Sequence, residues 1–208
     1  MIEIESNWSA IVTELKKTNR DGIENLINYL KHDTDFKTAP ASTKFHLCEM
    51  GGLAEHSLNV LRFARLVNTT MDNICPDNNI IIAALMHDLC KTNYYVIGEE
   101  WDKDWKEKTN QWRKKKIWKV EEKEPLGHGE KSVILANRHI QLTIEEMAAI
   151  RWHMTGFDAG IHFNYPSGFP YRTCMDRYPL LKIIILGDEM AELYESTQEK
   201  YKKHDNSI

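Results

Sequence analysis

The stretch Ile80-Ile-Ile-Ala-Ala-Leu-Met-His-Asp88 decides how this chain reads. An unbroken apolar run from Ile80 to Met86 leads straight into a histidine and an aspartate. Two metal-liking side chains therefore stand where a helix leaves the core. An unpaired buried charge costs several kcal/mol, so the expected compensation is a metal ion. Working outward, His56, His128 and His153 each lie at the edge of a helical pattern. Asp188 follows a second apolar run, Leu180-Leu-Lys-Ile-Ile-Ile-Leu186. The order His, His-Asp, His, His, Asp on helices points to metal-dependent hydrolysis.

Composition sets the limits. A chain of 208 residues that is 42% hydrophobic can bury one substantial core, so a single domain spanning residues 1–208 is the default. It divides into N-terminal helices (1–43), a core (44–195) and a polar tail (196–208). The net charge of −4 is mild and asks for neither nucleic acid nor an anionic membrane. The start, Met1-Ile-Glu-Ile-Glu5, is acidic and lacks the basic-then-apolar order of a signal peptide. No apolar run approaches the roughly 20 residues of a membrane span. Cys48, Cys75, Cys90 and Cys174 are scattered without a CxxC pair. They read as reduced thiols of a cytoplasmic protein, with Cys90 as a small buried apolar residue.

Helical periodicity dominates the chain. Residues 7–31 read as two short helices, capped by Asn7 or Ser9 and by Asp21; Ile23, Leu26, Ile27 and Leu30 fall at helical spacing. After Gly51-Gly52 a long helix places His56 on the buried stripe of Leu53, Val60, Phe63, Ala64 and Val67. Pro76-Asp77 starts the helix that ends around His87–Lys91. Residues 93–124 differ. Tyr94–Ile97 and Ile117–Val120 are rich in β formers around a polar middle with three tryptophans, which predicts an inserted β-hairpin. Gly127-His128-Gly129 opens another helix to about Asn137. Thr143-Ile-Glu-Glu146 is a capping-box pattern starting the helix that reaches His153. Residues 155–178 suggest a loop or lid, and the last helix runs from about Pro179 to Glu195 with a fraying tail. The expected class is mainly α, a helical bundle with one hairpin.

Each candidate ligand has a blander reading. His56 alone would be a satisfied core histidine, and Asp188, at i+3, i+4 and i+7 from Ile185, Ile184 and Leu181, a structural salt bridge. His87-Asp88 would be a helix C-terminal pair, and His128 and His153 surface residues. All six at helix ends or buried faces is harder to dismiss. The segments Gly51-Gly-Leu-Ala-Glu-His-Ser-Leu58, Ala84-Leu-Met-His-Asp-Leu-Cys-Lys91 and Leu186-Gly-Asp188 resemble the HD-domain metal-dependent phosphohydrolases over roughly residues 44–195. Gly127-His-Gly-Glu130 and Arg151-Trp-His153 look like the extra histidine positions of branches with a two-metal centre. The resemblance implies an HD-domain bundle, with a first metal on His56, His87, Asp88 and Asp188. A second would sit on His128 and His153, Asp88 bridging. The Gly-Tyr-Pro tripeptide of the regulatory subgroup is absent, which counts against a cyclic dinucleotide substrate.

The chemistry suits these residue types. Two metals about 3.5–4 Å apart can hold both attacking and phosphoryl oxygens, and they generate hydroxide near neutral pH. Histidine-rich ligation favours Mn, Fe, Co, Ni or Zn over Mg. The resemblance gives Lys91, one turn past Asp88, a phosphate-contacting role; Asp88 and Lys91 are then the catalytic pair. Lys131 and Arg151 could join Lys91 in holding substrate, or lie on solvated faces. Glu55 and Glu130 could orient imidazoles, and His46 could be a pocket residue or a local cap. Arg113-Lys-Lys-Lys116 with Trp112 and Trp118 could be a nucleic-acid patch, but Glu99, Glu100, Asp102, Asp104 and Glu107 on the opposite arm can pair with those cations. The expected function is phosphohydrolysis of a phosphorylated small molecule, a nucleotide by preference, with homo-oligomers open. The alternatives are a di-iron oxygenase of the same superfamily and an inactive nucleotide or nucleic-acid sensor.

Overall fold

The computed structural model describes residues 2–103, 112–158 and 168–205. Helices α1 (Ile4–Lys17), α2 (Ile23–His32), α3 (Gly52–Thr70) and α4 (Asp77–Met86) come first. A 3-10 turn (Leu89–Lys91) then leads into strands β1 (Tyr95–Lys103) and β2 (Trp112–Val120). Helices α5 (His128–Asn137), α6 (Ile144–Trp152), α7 (Gly168–Arg177) and α8 (Pro179–Asp205) complete the chain, with a second 3-10 turn at Thr155–Phe157. The protein is mainly α with an inserted antiparallel hairpin, as its sequence pattern implied.

Helix α4 is the axis of the bundle. Ile80 to Met86 are all fully buried, because a helix that is apolar all round has no face to offer water. Helices α1, α3, α5, α6 and α8 all pack against it. Two glycines let the outer helices approach closely. A Cβ at Gly187 would lie 2.9 Å from the backbone nitrogen of Ala64, so α8 sits directly on α3. A Cβ at Gly129 would lie 2.1 Å from the carbonyl oxygen of Arg151, so α5 sits equally close to α6. The neighbours of these glycines, Asp188 and His128, are carried by these approaches towards His56 and His153.

Charge pairs tie the N-terminal helices to the bundle, among them one that ends on a buried carboxylate. The capping box at α6 forms: Glu146 N donates to Thr143 Oγ1 (3.2 Å) and Thr143 N to Glu146 Oε2 (2.8 Å). The same fully buried Glu146 accepts two bonds from Arg20, at 2.6 and 2.7 Å.

The structure corrects several local expectations. Helix α1 starts earlier, at Ile4, and neither Asn7 nor Ser9 caps it; Asn7 instead reaches Glu55 Oε2 at 2.6 Å. The position before α2 is Gly22 at φ +83°, not Asp21, since the chain enters that helix through the left-handed region. The predicted loop over 155–178 contains α7, whose Tyr171, Cys174 and Met175 pack on the core. The expected tail belongs to α8, which continues to Asp205. Both strands exceed the short β-rich runs: they stay in register from Tyr95↔Val120 to Lys103↔Trp112. That register sets Glu99, Glu100 and Asp102 opposite Lys116, Lys115 and Arg113, the cross-strand charge pairing that the sequence suggested. Asp104, Glu107 and the hairpin tip lie outside the described residues.

Replacing Arg20 by alanine strands the Glu146 carboxylate in the core. We expect a loss of roughly 3 kcal/mol of stability, read as a lower urea midpoint at unchanged slope; an unchanged midpoint would show that the pair holds nothing together.

Candidate metal centre

Asp88 is the meeting point of the sequence-picked residues. It stands just past α4, its side chain only 3% exposed. His128 Nε2 lies 2.8 Å from its Oδ1 and His153 Nε2 3.6 Å. His87 Nε2 and His56 Nε2 lie 3.4 and 3.8 Å from its Oδ2. Asp188 is reached through His56, whose Nε2 is 3.1 Å from Asp188 Oδ1. The structure thus brings all six together, from five separate helices and their ends.

Helix termini aim two of the imidazoles. The carbonyls of a helix's last turn have no intrahelical partner. His87 follows α4 directly, and its Nδ1 donates to Ala84 O at 2.7 Å. His153 follows α6 directly, and its Nδ1 donates to Ile150 O at 2.8 Å. A carbonyl can only accept, so in each ring Nδ1 carries the proton and Nε2 turns its lone pair towards Asp88. His56 is aimed differently: its Nδ1 faces the buried carboxylate of Glu195 at 3.1 Å. The 3-10 turn after Asp88 is fastened to α5, since Cys90 N donates to Ser132 Oγ at 3.0 Å.

Electrostatics follow from this packing. Burial raises the Asp88 pKa, but Lys91, His87, His128 and His153 outweigh it and hold the carboxyl far below its ordinary range. Burial also works against the His56 imidazolium, yet pairing with Asp188 and Glu195 lifts its pKa to about 10. His128, likewise opposed by burial, is raised to about 9 by Asp88 and Cys90. Asp188 is lowered, with His56 first among the groups overcoming its burial.

The remaining sequence-picked residues fall around this centre. Lys91 Nζ is 2.6 Å from Asp88 Oδ2. Lys131 is buried, 3.0 Å from Glu122 and over the Tyr94 ring. Arg151 stacks on Trp152 and pairs with Glu130 (2.5 Å) and Asp158. Glu130 and Glu55 therefore engage Arg151 and Asn7, and the groups that face the Nδ1 atoms of His87, His153 and His56 are Ala84 O, Ile150 O and Glu195. The sequence offered a clue to the first two, a histidine placed three residues past a last-turn carbonyl. Cys90 sits with Asp88 and His128, their donor atoms within 4.8 Å of one another, so the thiol faces polar neighbours. His46 is buried against His56, ring centroids 4.9 Å apart. The hairpin is anchored alongside, because Trp118 Nε1 donates to Cys48 O at 3.1 Å.

The family model described as HD domain matches residues 53–193. The chain belongs to the HD-domain family. HD domains are in general metal-dependent phosphohydrolases that bind divalent metals. No curated protein and no solved structure matches this HD chain. No helix among its described residues is long and apolar enough to cross a membrane.

The donor set fits the cations that HD domains hold. Among the described residues, His87 Nε2, His153 Nε2 and Asp188 Oδ1 are buried without a hydrogen-bond partner. The 3.1 Å approach of His56 to that Asp188 oxygen is a charge contact and not an aligned hydrogen bond. Buried polar atoms are nearly always satisfied, so these three orphans, two of them imidazole nitrogens facing Asp88 and the third grouped with His87, mark a place for a ligand. Two overlapping donor groups surround them: His56, His87 and Asp188 on one side, His87, Asp88 and His153 on the other.

Asp88→Ala removes the carboxylate against which His56, His87, His128 and His153 all stand. We expect elemental analysis to find far less bound metal than in wild type, and assays to find no turnover. Full occupancy together with full activity would exclude Asp88 from the centre.

Proposed function

We propose that this chain is a phosphohydrolase acting on a phosphate ester of a nucleotide at a centre of two divalent transition-metal ions. The observation that carries the reading is the set of unpartnered Nε2 and carboxylate atoms in the two donor groups that overlap at His87. In this reading His56, His87, Asp88 and Asp188 would hold one ion, and His128 and His153, together with Asp88, would hold the other. Mn, Fe, Co, Ni or Zn suit so nitrogen-rich a set. When bound, such ions act as Lewis acids, withdrawing charge from phosphoryl oxygens and lowering the pKa of water towards neutrality.

The chain's own residues supply the rest. The fixed tautomers of His87 and His153 leave no freedom in where their lone pairs point, so the centre is set before substrate arrives. Burial excludes water from the walls, which strengthens each charge contact inside. Lys91 is the cation on which phosphate binding rests. Burial works against its charge, but Asp88 outweighs this and holds its pKa above the ordinary lysine value. Its ammonium can hold a phosphate oxygen by a charge-assisted bond and so align the ester for in-line attack. Lys131 and Arg151 already grip carboxylates, so they would join only by exchanging those partners. For the base, Trp152 and the 87%-exposed Phe157 flank the His153 end of α6, while Tyr165 lies outside the described residues.

Lys91→Ala should lose most activity towards a nucleotide while keeping its metal. A panel of nucleotides, simple phosphomonoesters and short oligonucleotides, assayed with several divalent cations with and without air, tests the assignment. Turnover without O₂ supports hydrolysis. Failure on every phosphate ester, with a loaded centre that consumes O₂, would replace it by the di-iron oxygenase reading. A loaded centre inert to both would leave a nucleotide sensor.

A further inference from the structure

The middle of α8 carries a carboxylate that the ligand set does not use. Asp188, Glu192 and Glu195 lie at i, i+4 and i+7 and so share one face of α8. Glu192 is exposed, but Glu195 is 3% exposed, an unusual position for a glutamate. Its burial is matched by three neighbours. His56 Nδ1 lies 3.2 and 3.1 Å from its two oxygens. Asn59, one turn along α3 from His56, donates from Nδ2 to Oε1 at 2.8 Å. His46 Nε2 stands 3.8 Å from Oε2, too long for a hydrogen bond, and finds no other partner among the described residues. Residue 195 also falls just beyond the span that matches the HD family.

We infer that Glu195 is a positioning residue for the metal centre, holding the His56 proton on Nδ1 so that Nε2 presents its lone pair to the ion. The inference rests on the metal-centre reading above and adds to it the device that aims His56. His87 and His153 are aimed by backbone carbonyls of their own helices. His56 has no such carbonyl, because it sits within α3, where the carbonyls of the preceding turn are engaged in the helix ladder. A side chain from another helix must do the work, and Glu195 is the group in place. Its negative charge also raises the basicity of the opposite nitrogen, which a neutral carbonyl does less strongly. Asn59 keeps the carboxylate from turning away. A metal between Glu195, His46 and His56 is the competing reading of the same three residues, since their donor atoms lie within 4.8 Å of one another. It would require His56 to give up both its protons and serve two ions at once, so the orienting role is the simpler chemistry.

The test is a titration of metal-free protein with Co²⁺, followed by its visible d–d absorption, in wild type and in Glu195→Gln, Glu195→Ala and Asn59→Ala. Glu195→Gln keeps size and an acceptor oxygen but loses the charge. We expect it to weaken the cobalt step that His56→Ala abolishes by about ten- to a hundred-fold, a typical cost of losing an outer partner of a metal-bound histidine. Glu195→Ala should weaken it further, and Asn59→Ala less than either. In the His56→Ala background, Glu195→Gln should have no additional effect on cobalt binding, because the group through which it acts is gone. A glutamate that merely props up α8 would lower the unfolding midpoint of the metal-free protein and leave cobalt affinity and spectrum alone. Affinity and spectrum equal to wild type in the folded Glu195→Gln protein would overturn the inference while leaving the metal centre standing. A wild-type protein that takes up no cobalt would overturn the metal centre, and the inference with it. A cobalt step lost together in Glu195→Gln and His46→Ala, but kept in Asp188→Ala, would assign the ion to the competing site and also overturn it.

Discussion

The carboxylate of Asp88 is the constraint around which this molecule is built. It lies just past α4, whose Ile80–Met86 run is buried on every side, so it is carried into the interior by that burial. A buried carboxylate needs compensation worth several kcal/mol, and no single partner here provides it. Lys91, His56, His87, His128 and His153 crowd it from α3, from the turn after α4, from α5 and from the end of α6. The hydrophobic and polar parts of the fold are therefore not independent. The helix that best satisfies the core also delivers the charge that the rest of the site must answer.

Geometry at the centre is held by two kinds of support. Free carbonyls at the ends of α4 and α6 use up the Nδ1 protons of His87 and His153, and the choice of tautomer follows from helix termination alone. Glycines supply the other kind. Gly129 and Gly187 admit backbone contacts closer than any side chain would allow, and each is adjacent in sequence to a residue of the site. The positions of His128 and Asp188 thus depend on the absence of a methyl group one residue away. Packing density leaves little room to compensate for such a change.

Cations near the centre differ in how free they are to act. Lys91 answers Asp88 directly. Lys131 is buried against Glu122 and the Tyr94 ring, and Arg151 is held between Glu130, Asp158 and Trp152. These pairs brace α5 against the segment after the hairpin and α6 against the segment that follows it. The basic strand of the hairpin is similarly occupied, with acidic residues facing it across the register. Proximity in sequence to a histidine said nothing about these commitments, because carboxylates from other segments made them.

Much of the architecture was legible from pattern alone. The all-apolar run before His87-Asp88, the stripe through His56 and the run before Asp188 each specify a buried helix whose next residue cannot escape the core. Periodicity is a local property, so sequence carries it fully; the capping box at Thr143 and the charge-matched hairpin arms are local in the same way. Helix α7 was missed because it is the most polar of the helices, Gly168 and Pro170 open it, and its interior apolar contacts are made only once the bundle exists. The donor types at the site were equally legible, since histidines and aspartates at buried helix ends have few uses. What the tertiary structure alone decided is which atom of each ring faces inward and which carboxylate stands behind it. Glu195 lies 139 residues from His56 along the chain, and nothing local to either residue encodes their contact. It exists because α8 packs along the length of α3, and that is a consequence of how two apolar surfaces fit, which no single stretch of sequence states.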